Sequence, residues 1–555
     1  MTDTPKARWT VFAALSGVIG AAVFLAAAEL TALLISTGSG PLEAVGAFVI
    51  DIVPQPVKEF AIAAFGSADK IVLLASLGIA ALIGAAIAGI LEFHRPPFGS
   101  VLFGAVTVAT AAALVTRAAA GPLDAVPAAA GGVAAIVLLR FLVPALRRWR
   151  DAVRRRDAAS DARTDAARGD APATDETGRA AASPVPENPA ERRPAAPAVT
   201  ARRTFLGIAL ISTAAAIVVG TGSRLISGAT TSITAVREAL RLPMPRSRVT
   251  VPAGAELDVP GISPLFTPNA DFYRVDTALT VPQVDVDSWR LVIDGMVDRR
   301  VEFTFQDLLA RGLDEYAVTL TCVSNEVGGG LVGNALWQGV PVRDLIKMAG
   351  PSPDADMVLS RSIDGFTAST PLESLTDDDL DAILAVAMNG EPLPLEHGFP
   401  VRMVVPGLYG YVSATKWLTT LTVTRFDQDE AYWTPRGYAE KAPIKMSSRI
   451  DTPRVDGGAV SAGTIAIAGV AWAQPVGVGR VEVQIDDGPW QEATLSAPIS
   501  TDTWVQWMLP WEATPGAHNV TVRAYDNNGT QQTQDRAPIA PDGSSGWQRS
   551  LITVS

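Results

Sequence analysis

The chain has one cysteine, Cys322, and the residues around it could place its thiolate where it can bind a metal. The β-branched residues Val318, Thr319 and Thr321 predict a strand that delivers Cys322 to its end. Three consecutive glycines at 328–330 leave the backbone free to pass close to a bulky group. A thiolate beside such a loop can ligate a soft metal centre. The alternative is a small buried hydrophobic residue, the commoner role of a free cysteine.

Three basic side chains downstream are assigned to an anionic group only by a family resemblance. His397 stands out because the chain has only three histidines, and Arg402 and Lys416 follow it. Arginine offers a bidentate fork to a phosphate, whereas lysine offers a point charge. The alternative for each residue is a solvated surface charge.

Short strands alternate with helices in the region that must position these residues. Residues 289–293 predict a strand that ends in an Asp294-Gly295 turn, and Thr304 is a candidate N-cap for a helix over Phe305–Ala310. Another helix is predicted to start with Pro341 in its first turn. The pattern predicts an α+β domain, which we place at residues 229–441.

The pattern changes to strict alternation after residue 442. Val481, Val483 and Ile485 alternate with polar residues before a turn, and residues 520–524 repeat the pattern before Asn528-Gly529. Such strands predict a β-sandwich of roughly 100 residues at 442–555. We expect Trp504, Trp507 and Trp511 to belong to its core rather than to a ligand cage.

The first 150 residues carry four apolar segments, each long enough to cross a bilayer as a helix. A buried soluble bundle is the alternative, but the segments lack a polar face. Between the first two segments, residues 41–65 are interrupted by prolines and charges, which fits an interfacial or re-entrant piece. The four predicted spans are residues 9–36, 69–93, 98–118 and 126–146.

Basic residues predict the orientation of these spans. Lys6 and Arg8 precede the first span, His94 and Arg95 separate the second from the third, and an arginine cluster at 147–156 follows the fourth. The positive-inside rule places all of them, and the N-terminus, in the cytoplasm. Residues 151–201 have almost no large apolar side chain and predict a disordered cytoplasmic linker, with an amphipathic helix possible at its start.

A fifth apolar segment, residues 202–228, predicts another transmembrane helix, which would put everything after it outside the cytoplasm. Its start, R-R-T-F-L at 202–206, is similar to the core of a twin-arginine export signal. On the pentapeptide alone, two arginines that anchor a span at the interface are an equal alternative.

Composition excludes several classes of function. The net charge of -12 gives no support for nucleic-acid binding. One cysteine cannot form an internal disulfide, a C-x-x-C-H haem site or an iron–sulfur cluster, and of the histidines only His94 lies near a span. We therefore expect no haem and no iron–sulfur cluster.

Several segments, in order, resemble the sulfite oxidase family of molybdenum enzymes, in which one cysteine binds molybdenum beside a molybdopterin. The cysteine segment is 318–346, and an upstream stretch, T-P-N-A-D-F-Y-R at 267–274, is similar to the family's entry segment. The other matching stretches are 388–394, 397–402, 405–407 and 416–417. The resemblance implies the sulfite-oxidase fold for the α+β domain and an immunoglobulin-like, dimer-forming fold for the C-terminal sandwich.

The resemblance also implies roles for residues. Cys322 would ligate molybdenum, Arg274 would face the substrate, and Phe366 stands where the family has an active-site tyrosine. His397 and Arg402 would bind the pterin or its phosphate. The complete implied cofactor-binding set is Asn269, Phe272, Tyr273, Arg274, Asp276, Cys322, Asp364, His397, Arg402, Ala414, Thr415 and Lys416, with Val275 beside the metal mouth.

Departures from the family pattern bear on the substrate. Where sulfite-oxidising members have an A-G-N-R-R-type run after the cysteine, this chain has V-S-N-E-V at 323–327. A pocket that loses cations and gains acids suits a dianion such as sulfite poorly, because an unpaired buried charge is costly. The members that reduce sulfoxides are a reasonable comparison, since a neutral S=O group needs no cationic pocket.

Two classes of function follow. The first is a membrane-anchored molybdopterin oxidoreductase that moves an oxygen atom to or from a small substrate outside the membrane. A molybdopterin is inserted in the cytoplasm, so such a domain must cross the membrane folded, and this favours the twin-arginine interpretation. Its partners would be lipid, the substrate and a separate electron-transfer protein or quinone, with a homodimer formed through the C-terminal domain. The alternative is a non-catalytic extracytoplasmic protein that binds a ligand or partner.

Overall fold

The structure, a computed structural model, describes residues 4–35, 69–115, 122–169, 196–229, 233–454 and 458–555, together with 45–46, 48–49 and 53. The chain forms two compact units, Met1–Thr230 and Thr231–Ser555.

The N-terminal unit is helical in its described residues. Four of its helical stretches are long and apolar enough to cross a membrane, and each overlaps one predicted span: Ala7–Ala32, Val72–His94, Phe98–Val115 and Leu123–Ala162. The helices are α1 (Thr4–Ile35), α2 (Asp69–His94), α3 (Phe98–Val115), α4 (Val126–Gly169) and α5 (Ala196–Ala229).

Aromatic side chains join three of these helices. The rings of Trp9 in α1 and Trp149 in α4 meet edge to face with centroids 5.1 Å apart, and Phe205 in α5 lies 5.8 Å from Trp149. Glu92, buried near the end of α2, accepts a hydrogen bond from the backbone N–H of Ser100 at 2.8 Å. The carboxylate thereby satisfies an N–H in the first turn of α3.

The predicted linker starts as a helix, which is the alternative that the sequence left open for its first part. Residues 151–169 continue α4, and α5 already begins at Ala196. Once a helix is nucleated by a packed segment, a stretch rich in Ala and Arg extends it at little cost. Residues 170–195, and most of the predicted interfacial piece 41–65, lie outside the described residues.

The predicted fifth span lies inside α5, whose side chains are described only as far as residue 217. The segment is therefore helical, and its passage through a membrane stays a prediction.

The C-terminal unit begins with an α+β region, as predicted. One sheet has the order β2-β1-β10-β5-β6, with β1 and β10 parallel; the second has the order β3-β4-β7-β8, with β9 also paired to β7. One apolar core of side chains lies on both sheets, with Trp337 and Trp417 among its largest members. The strands are β1 (Arg290–Gly295), β2 (Val301–Thr304), β3 (Asp314–Thr321), β4 (Val332–Pro341), β5 (Met357–Ser362), β6 (Thr367–Pro371), β7 (Ile383–Met388), β8 (Glu391–Pro392), β9 (Arg402–Val404) and β10 (Leu418–Thr424).

Short helices connect these strands. The prediction that Thr304 is an N-cap is confirmed. The Thr304 side chain accepts a hydrogen bond from the backbone N–H of Asp307, and the Asp307 side chain accepts one from the backbone N–H of Thr304, which is a capping box. The helix predicted near Pro341 starts at Val342, with Pro341 as its N-cap residue. The helices are α6 (Ile233–Ala239), α7 (Phe305–Ala310), α8 (Val342–Ala349), α9 (Leu372–Thr376) and α10 (Gly410–Ser413).

Two four-stranded antiparallel sheets follow, with orders β11-β12-β16-β15 and β14-β13-β17-β18. Inward side chains of both sheets, including Val481, Val483, Trp507 and Trp511, form one core. Trp504 departs from the prediction because it packs with Tyr409, Tyr411 and Tyr438 of the preceding region. The strands are β11 (Ser447–Thr452), β12 (Gly463–Trp472), β13 (Val478–Ile485), β14 (Gln491–Glu492), β15 (Thr494–Leu495), β16 (Val505–Ala513), β17 (Gly516–Asp526) and β18 (Gln548–Val554).

Candidate molybdopterin site

A cavity in the C-terminal unit opens beside the end of β3. It encloses about 890 Å³ of atom-free space, including solvent at its mouth. Residues predicted for the site from well-separated segments meet there. The predicted residues that line it are Phe272, Tyr273, Val275, Asp276, Cys322, Asp364, Phe366, His397, Arg402, Ala414 and Lys416.

Cys322 lies where the strand prediction places it, directly after β3. The β3–β4 register fixes it, because Thr321 pairs with Val332 and the backbone N–H of Cys322 donates to Leu331 O at 2.9 Å. The backbone N–H of Ser324 faces Sγ at 3.4 Å. Burial raises the pKa of the Cys322 thiol, and the bonds from Ser324 oppose this only in part. A metal ion would therefore be needed to hold the sulfur as a thiolate.

Arg402 brings a positive charge into the interior. Its Nη1 donates to His397 O at 3.2 Å and its Nη2 to Ala414 O at 3.4 Å, and its guanidinium lies 4.9 Å from the centroid of the Trp337 ring. Its buried Nε has no hydrogen-bond partner among the described residues. Burial lowers the pKa of Arg402 to about 10, so the group remains charged at neutral pH. A buried charged donor with spare capacity is suited to an anionic oxygen.

Lys416 provides a second buried cation. Its Nζ donates to Asp276 Oδ2 at 2.8 Å and to Glu396 O at 2.9 Å. Burial lowers the pKa of Lys416 to about 8, while the carboxylate of Asp276 works in the opposite direction.

Arg274 departs from its expected position. It was predicted to line the metal mouth and face the substrate, yet it does not belong to the cavity lining. Its Nε donates to Asp276 Oδ2 at 2.9 Å, and 37% of its side chain is exposed. Asp276 thus holds both Arg274 and Lys416.

His397 is buried and neutral. Its Nε2 lies 3.1 Å from Asn269 O, and because a carbonyl oxygen only accepts, Nε2 must carry the proton and Nδ1 is the acceptor nitrogen. Burial, followed by the charge of Arg402, lowers the pKa of His397 to about 4. Asn269 itself does not line the cavity; its side chain bonds to Asn389 and to Met388 O, so it positions His397 through its backbone.

Phe272 and Tyr273 form an aromatic stack in the entry segment. Their rings are 5.2 Å apart and 20° from parallel, and Phe272 meets Trp337 and His397 edge to face. Burial raises the pKa of Tyr273, so its phenol is protonated and can donate a hydrogen bond.

The remaining predicted residues fall into two groups. Asp364 accepts from the backbone of Phe366 at 3.3 Å in the turn between β5 and β6, and both residues line the cavity. Thr415 does not line it, because its buried hydroxyl lies 2.7 Å from Ser360 Oγ; its neighbour Ala414 does.

Sequence reasoning missed one side of the cavity, formed by Tyr411, Trp433 and Tyr438. The sequence Y-G-Y at 409–411, between two matching segments, was an available signal. Trp433 and Tyr438 lie beyond the last matching segment and follow no periodic pattern.

The glycine run 328–330 does let the backbone pass close to other groups, but these are protein side chains outside the cavity that contains Cys322. The three glycines border a separate groove with Arg449, where a Cβ on Gly328 would lie 2.8 Å from the side chain of Gln548.

The chemistry of these residues fits a molybdopterin. Among the described residues, no group of three His, Cys, Asp or Glu side chains is placed to hold a metal ion, so a metal at Cys322 would need ligands from a cofactor. Arg402 Nε offers an unused buried N–H, and Arg402 and Lys416 offer the positive charge that a cofactor phosphate requires.

Comparisons with known proteins agree with this assignment. A family model described as "Oxidoreductase molybdopterin binding domain" matches residues 278–433. Human mitochondrial sulfite oxidase is 31% identical over 340 residues, which are 52% of this chain and 62% of that protein. The uncharacterized oxidoreductase YuiH of Bacillus subtilis is 35% identical over 154 residues, 28% of this chain and 74% of that protein.

Among solved structures, the sulfane dehydrogenase SoxCD of Paracoccus pantotrophus covers 57% of this chain and 94% of its own, with 22% identity and a TM-score of 0.46. The chain spans less than two thirds of the length of the human and mouse sulfite oxidases that it matches. From its cysteine-centred cavity and its similarity to these proteins, the chain belongs to the sulfite oxidase family of molybdopterin-binding oxidoreductases.

Proposed function

We propose that the chain is a membrane-anchored molybdopterin oxidoreductase that transfers an oxygen atom to or from a small substrate outside the cytoplasmic membrane. One observation carries the proposal: the only thiol of the chain lines the same cavity as Arg402, His397 and Lys416. A sulfur ligand for a metal and cations for a phosphate are the two requirements of a molybdopterin that a protein must meet.

Each residue has a role in this proposal. Cys322 Sγ would bind the molybdenum, while Arg402 and Lys416 would bind the phosphate end of the pterin. His397, neutral with its proton on Nε2, would present Nδ1 as a hydrogen-bond acceptor. When bound, the cofactor supplies two-electron oxygen-atom chemistry.

Tyr273 and Asp364 complete the polar lining. The neutral phenol of Tyr273 can donate a hydrogen bond beside Cys322, where it excludes water with its ring and orients an oxygen with its hydroxyl. Asp364 holds the turn that presents Phe366 through the bond to the Phe366 backbone.

The membrane location is part of the proposal. Four apolar helical stretches support anchoring, and a fifth span with the R-R-T-F-L start would lead to an exported domain. Electrons would then be exchanged with a quinone or a separate protein. The C-terminal sandwich would be an immunoglobulin-like domain that supports a homodimer.

Metal content and turnover test the enzyme proposal. Full-length protein from a host that makes molybdopterin should hold one molybdenum per chain and turn over sulfite, a sulfoxide or a nitrogen oxide with an artificial electron dye. Cys322→Ser should lose both the metal and turnover. The matched control is Thr321→Ser, a conservative change at the neighbouring buried residue, which should keep both. An intact fold without molybdenum would favour the non-catalytic binding protein instead.

Export is tested separately. Arg202→Lys with Arg203→Lys should leave the C-terminal unit protected from protease added outside the cells if the twin-arginine route is used. The control pair, Arg154→Lys with Arg155→Lys in the exposed end of α4, should not change accessibility. Equal external accessibility for both pairs would exclude the twin-arginine route.

A further inference from the structure

An aromatic wall, defined as Tyr411, Trp433 and Tyr438, borders the cavity that contains Cys322. Tyr438 is its centre: its ring lies 5.6 Å from Tyr411 and 5.1 Å from Trp433, with interplanar angles of 60° and 71°. Rings set at such angles leave faces and edges between which another flat group can pack.

The polar atoms of this wall are partly used by the protein. Tyr411 Oη donates to Ala439 O at 2.6 Å, so the ring rather than the hydroxyl is what Tyr411 offers to a ligand. Phe366 adds another ring to the lining and carries no hydroxyl at all. Its ring contacts Tyr432, with centroids 5.9 Å apart.

The positively charged side chains of the cavity, Arg402 and Lys416, bond to residues outside the aromatic wall. Arg402 bonds to His397 O, and Lys416 bonds to Glu396 O and to Asp276. These are the groups that would hold the cofactor. The remaining charged side chain in the described lining is the carboxyl group of Asp364, and the residues directly after Cys322 are Val323 and Ser324.

With the cofactor bound, an anionic substrate would therefore enter a cavity whose positive charges already hold the cofactor. A dianion that loses its water shell without a cationic partner is strongly disfavoured. A neutral molecule with a flat apolar group meets no such penalty and gains the ring contacts of the wall.

We infer that this site takes a neutral organic substrate with an aromatic substituent, which packs against Trp433 and Tyr438 while the oxygen-bearing atom faces the metal side at Cys322. The inference rests on the proposed function, whose substrate class it names. Trp433 and Tyr438 are then the residues that determine specificity.

Methyl phenyl sulfoxide and dimethyl sulfoxide are a suitable pair of probes, because they differ only in the aromatic group. Reduction breaks the S–O bond, releases the oxygen as water with two protons, and takes two electrons from two equivalents of reduced methyl viologen. Sulfite oxidation with ferricyanide, a one-electron oxidant, measures the anionic alternative. We expect kcat/KM for the phenyl compound to exceed that for the dimethyl compound by roughly tenfold or more.

Substitutions in the aromatic wall test which residue causes the preference for methyl phenyl sulfoxide. Trp433→Ala should remove this preference mainly by raising KM, and Trp433→Phe should retain most of it. Trp490→Ala is the matched control, because Trp490 is equally half-buried and packs edge to face on Trp547 at 5.2 Å, outside the cavity. It should leave both rates unchanged. Should Trp433→Ala fail to fold, Trp433→Leu and Tyr438→Leu test the same contact.

Binding of methyl phenyl sulfone, which is not reduced, gives a readout besides turnover. Calorimetric titration should show binding that Trp433→Ala weakens by roughly tenfold and Trp490→Ala does not change. If the molybdenum-loaded protein treats both sulfoxides equally or prefers sulfite, the inference is wrong and the proposed function stands. If no variant binds molybdenum, the proposed function is wrong, and the sulfone titration alone then supports or overturns the aromatic wall as a ligand site.

Discussion

At the scale of single residues, the burial of Arg402 is better explained by binding of a ligand than by a contribution to the stability of the fold. It is 5% exposed, its hydrogen-bonded partners are carbonyl oxygens, and its Nε is unpartnered among the described residues. An apolar side chain of similar length in place of a buried charge is often neutral or stabilising. We expect Arg402→Met to leave the Tm of cofactor-free protein unchanged or raised, and to lower bound molybdopterin at least tenfold.

Arg449 provides the contrast for this measurement. It is partly buried, with 11% of its side chain exposed, but its Nε bonds to Asp451 and its other nitrogens to Gly329 O and Ser263. Arg449→Met removes the partner of a buried carboxylate and should cost about 3 kcal/mol of stability. If Arg402→Met lowers the Tm as much as Arg449→Met does, Arg402 is a structural residue.

The lowered pKa of His397 predicts how the stability of cofactor-free protein depends on pH. Its pKa is lowered to about 4 by burial, so between about pH 6.5 and 4 the unfolded chain binds a proton that the folded chain does not. Stability of cofactor-free protein should therefore fall as pH drops through this window, by about 3 kcal/mol for the full shift. His397→Gln should flatten this part of the curve of Tm against pH. A variant curve parallel to that of the wild type would show that another group is responsible.

The sequence predicted which residues meet at the site better than it predicted what each one touches. The family resemblance identified Cys322, His397 and Arg402 as neighbours, whereas no local pattern could reveal that Arg274 pairs with Asp276 and lies outside the cavity lining. The wall residues Trp433 and Tyr438 were missed because ring packing between loops has no sequence period.

At the scale of elements, the site depends on how closely β4 approaches the entry segment. A Cβ on Gly333 in β4 would lie 2.7 Å from the ring of Phe272, which itself contacts His397. Gly333→Ala should displace Phe272, cost about 1–3 kcal/mol and reduce molybdopterin retention. The measurements are the Tm and the molybdenum content of purified protein.

Gly330 supplies the control, since a Cβ there meets no atom within 4 Å. Gly330→Ala should change neither quantity. Equal effects of the two substitutions would mean that loop flexibility, rather than the contact with Phe272, matters.

The sequence could predict those helices and strands that are determined by residues close together in the chain. The capping box of α7 needs only Thr304 and Asp307, and the alternation in β13 needs only its own residues. The sequence predicted a close approach at the glycine run 328–330 but not the group approached, because its neighbours, Gln548 and Arg449, lie far along the chain. The sequence left the helical continuation of α4 only as a possibility, because the residues after 151 have almost no large apolar side chain.

At the scale of the whole molecule, the α+β region and the sandwich form one unit rather than two. Trp504 donates from its backbone to Thr319 Oγ1 at 2.8 Å and from Nε1 to Leu265 O at 2.9 Å, and Gln474 bonds to Thr319 O at 3.0 Å. Because Thr319 lies in β3, the strand that precedes Cys322, the sandwich supports the strand on which the site depends.

This arrangement predicts that a destabilising substitution in the sandwich core makes Cys322 easier to label. The only thiol of the chain serves as a reporter in cofactor-free protein, since Cys322 is only 8% exposed and its reaction with a bulky thiol reagent should speed up when its region opens. Trp507→Ala and Trp504→Ala should both lower the temperature at which Cys322 becomes labelled, by about 5 °C or more. Trp490→Ala should have little effect. Unchanged labelling in Trp507→Ala would show that the two regions unfold independently.

The central claim is that Cys322 binds molybdenum, and X-ray absorption at the molybdenum edge tests it most directly. Wild-type protein and Thr321→Ser should show the same number of sulfur neighbours around the metal. Cys322→Ser should show one sulfur neighbour fewer in whatever metal it retains, or no metal at all. An unchanged sulfur count in Cys322→Ser at full molybdenum content would contradict the assignment of this cavity.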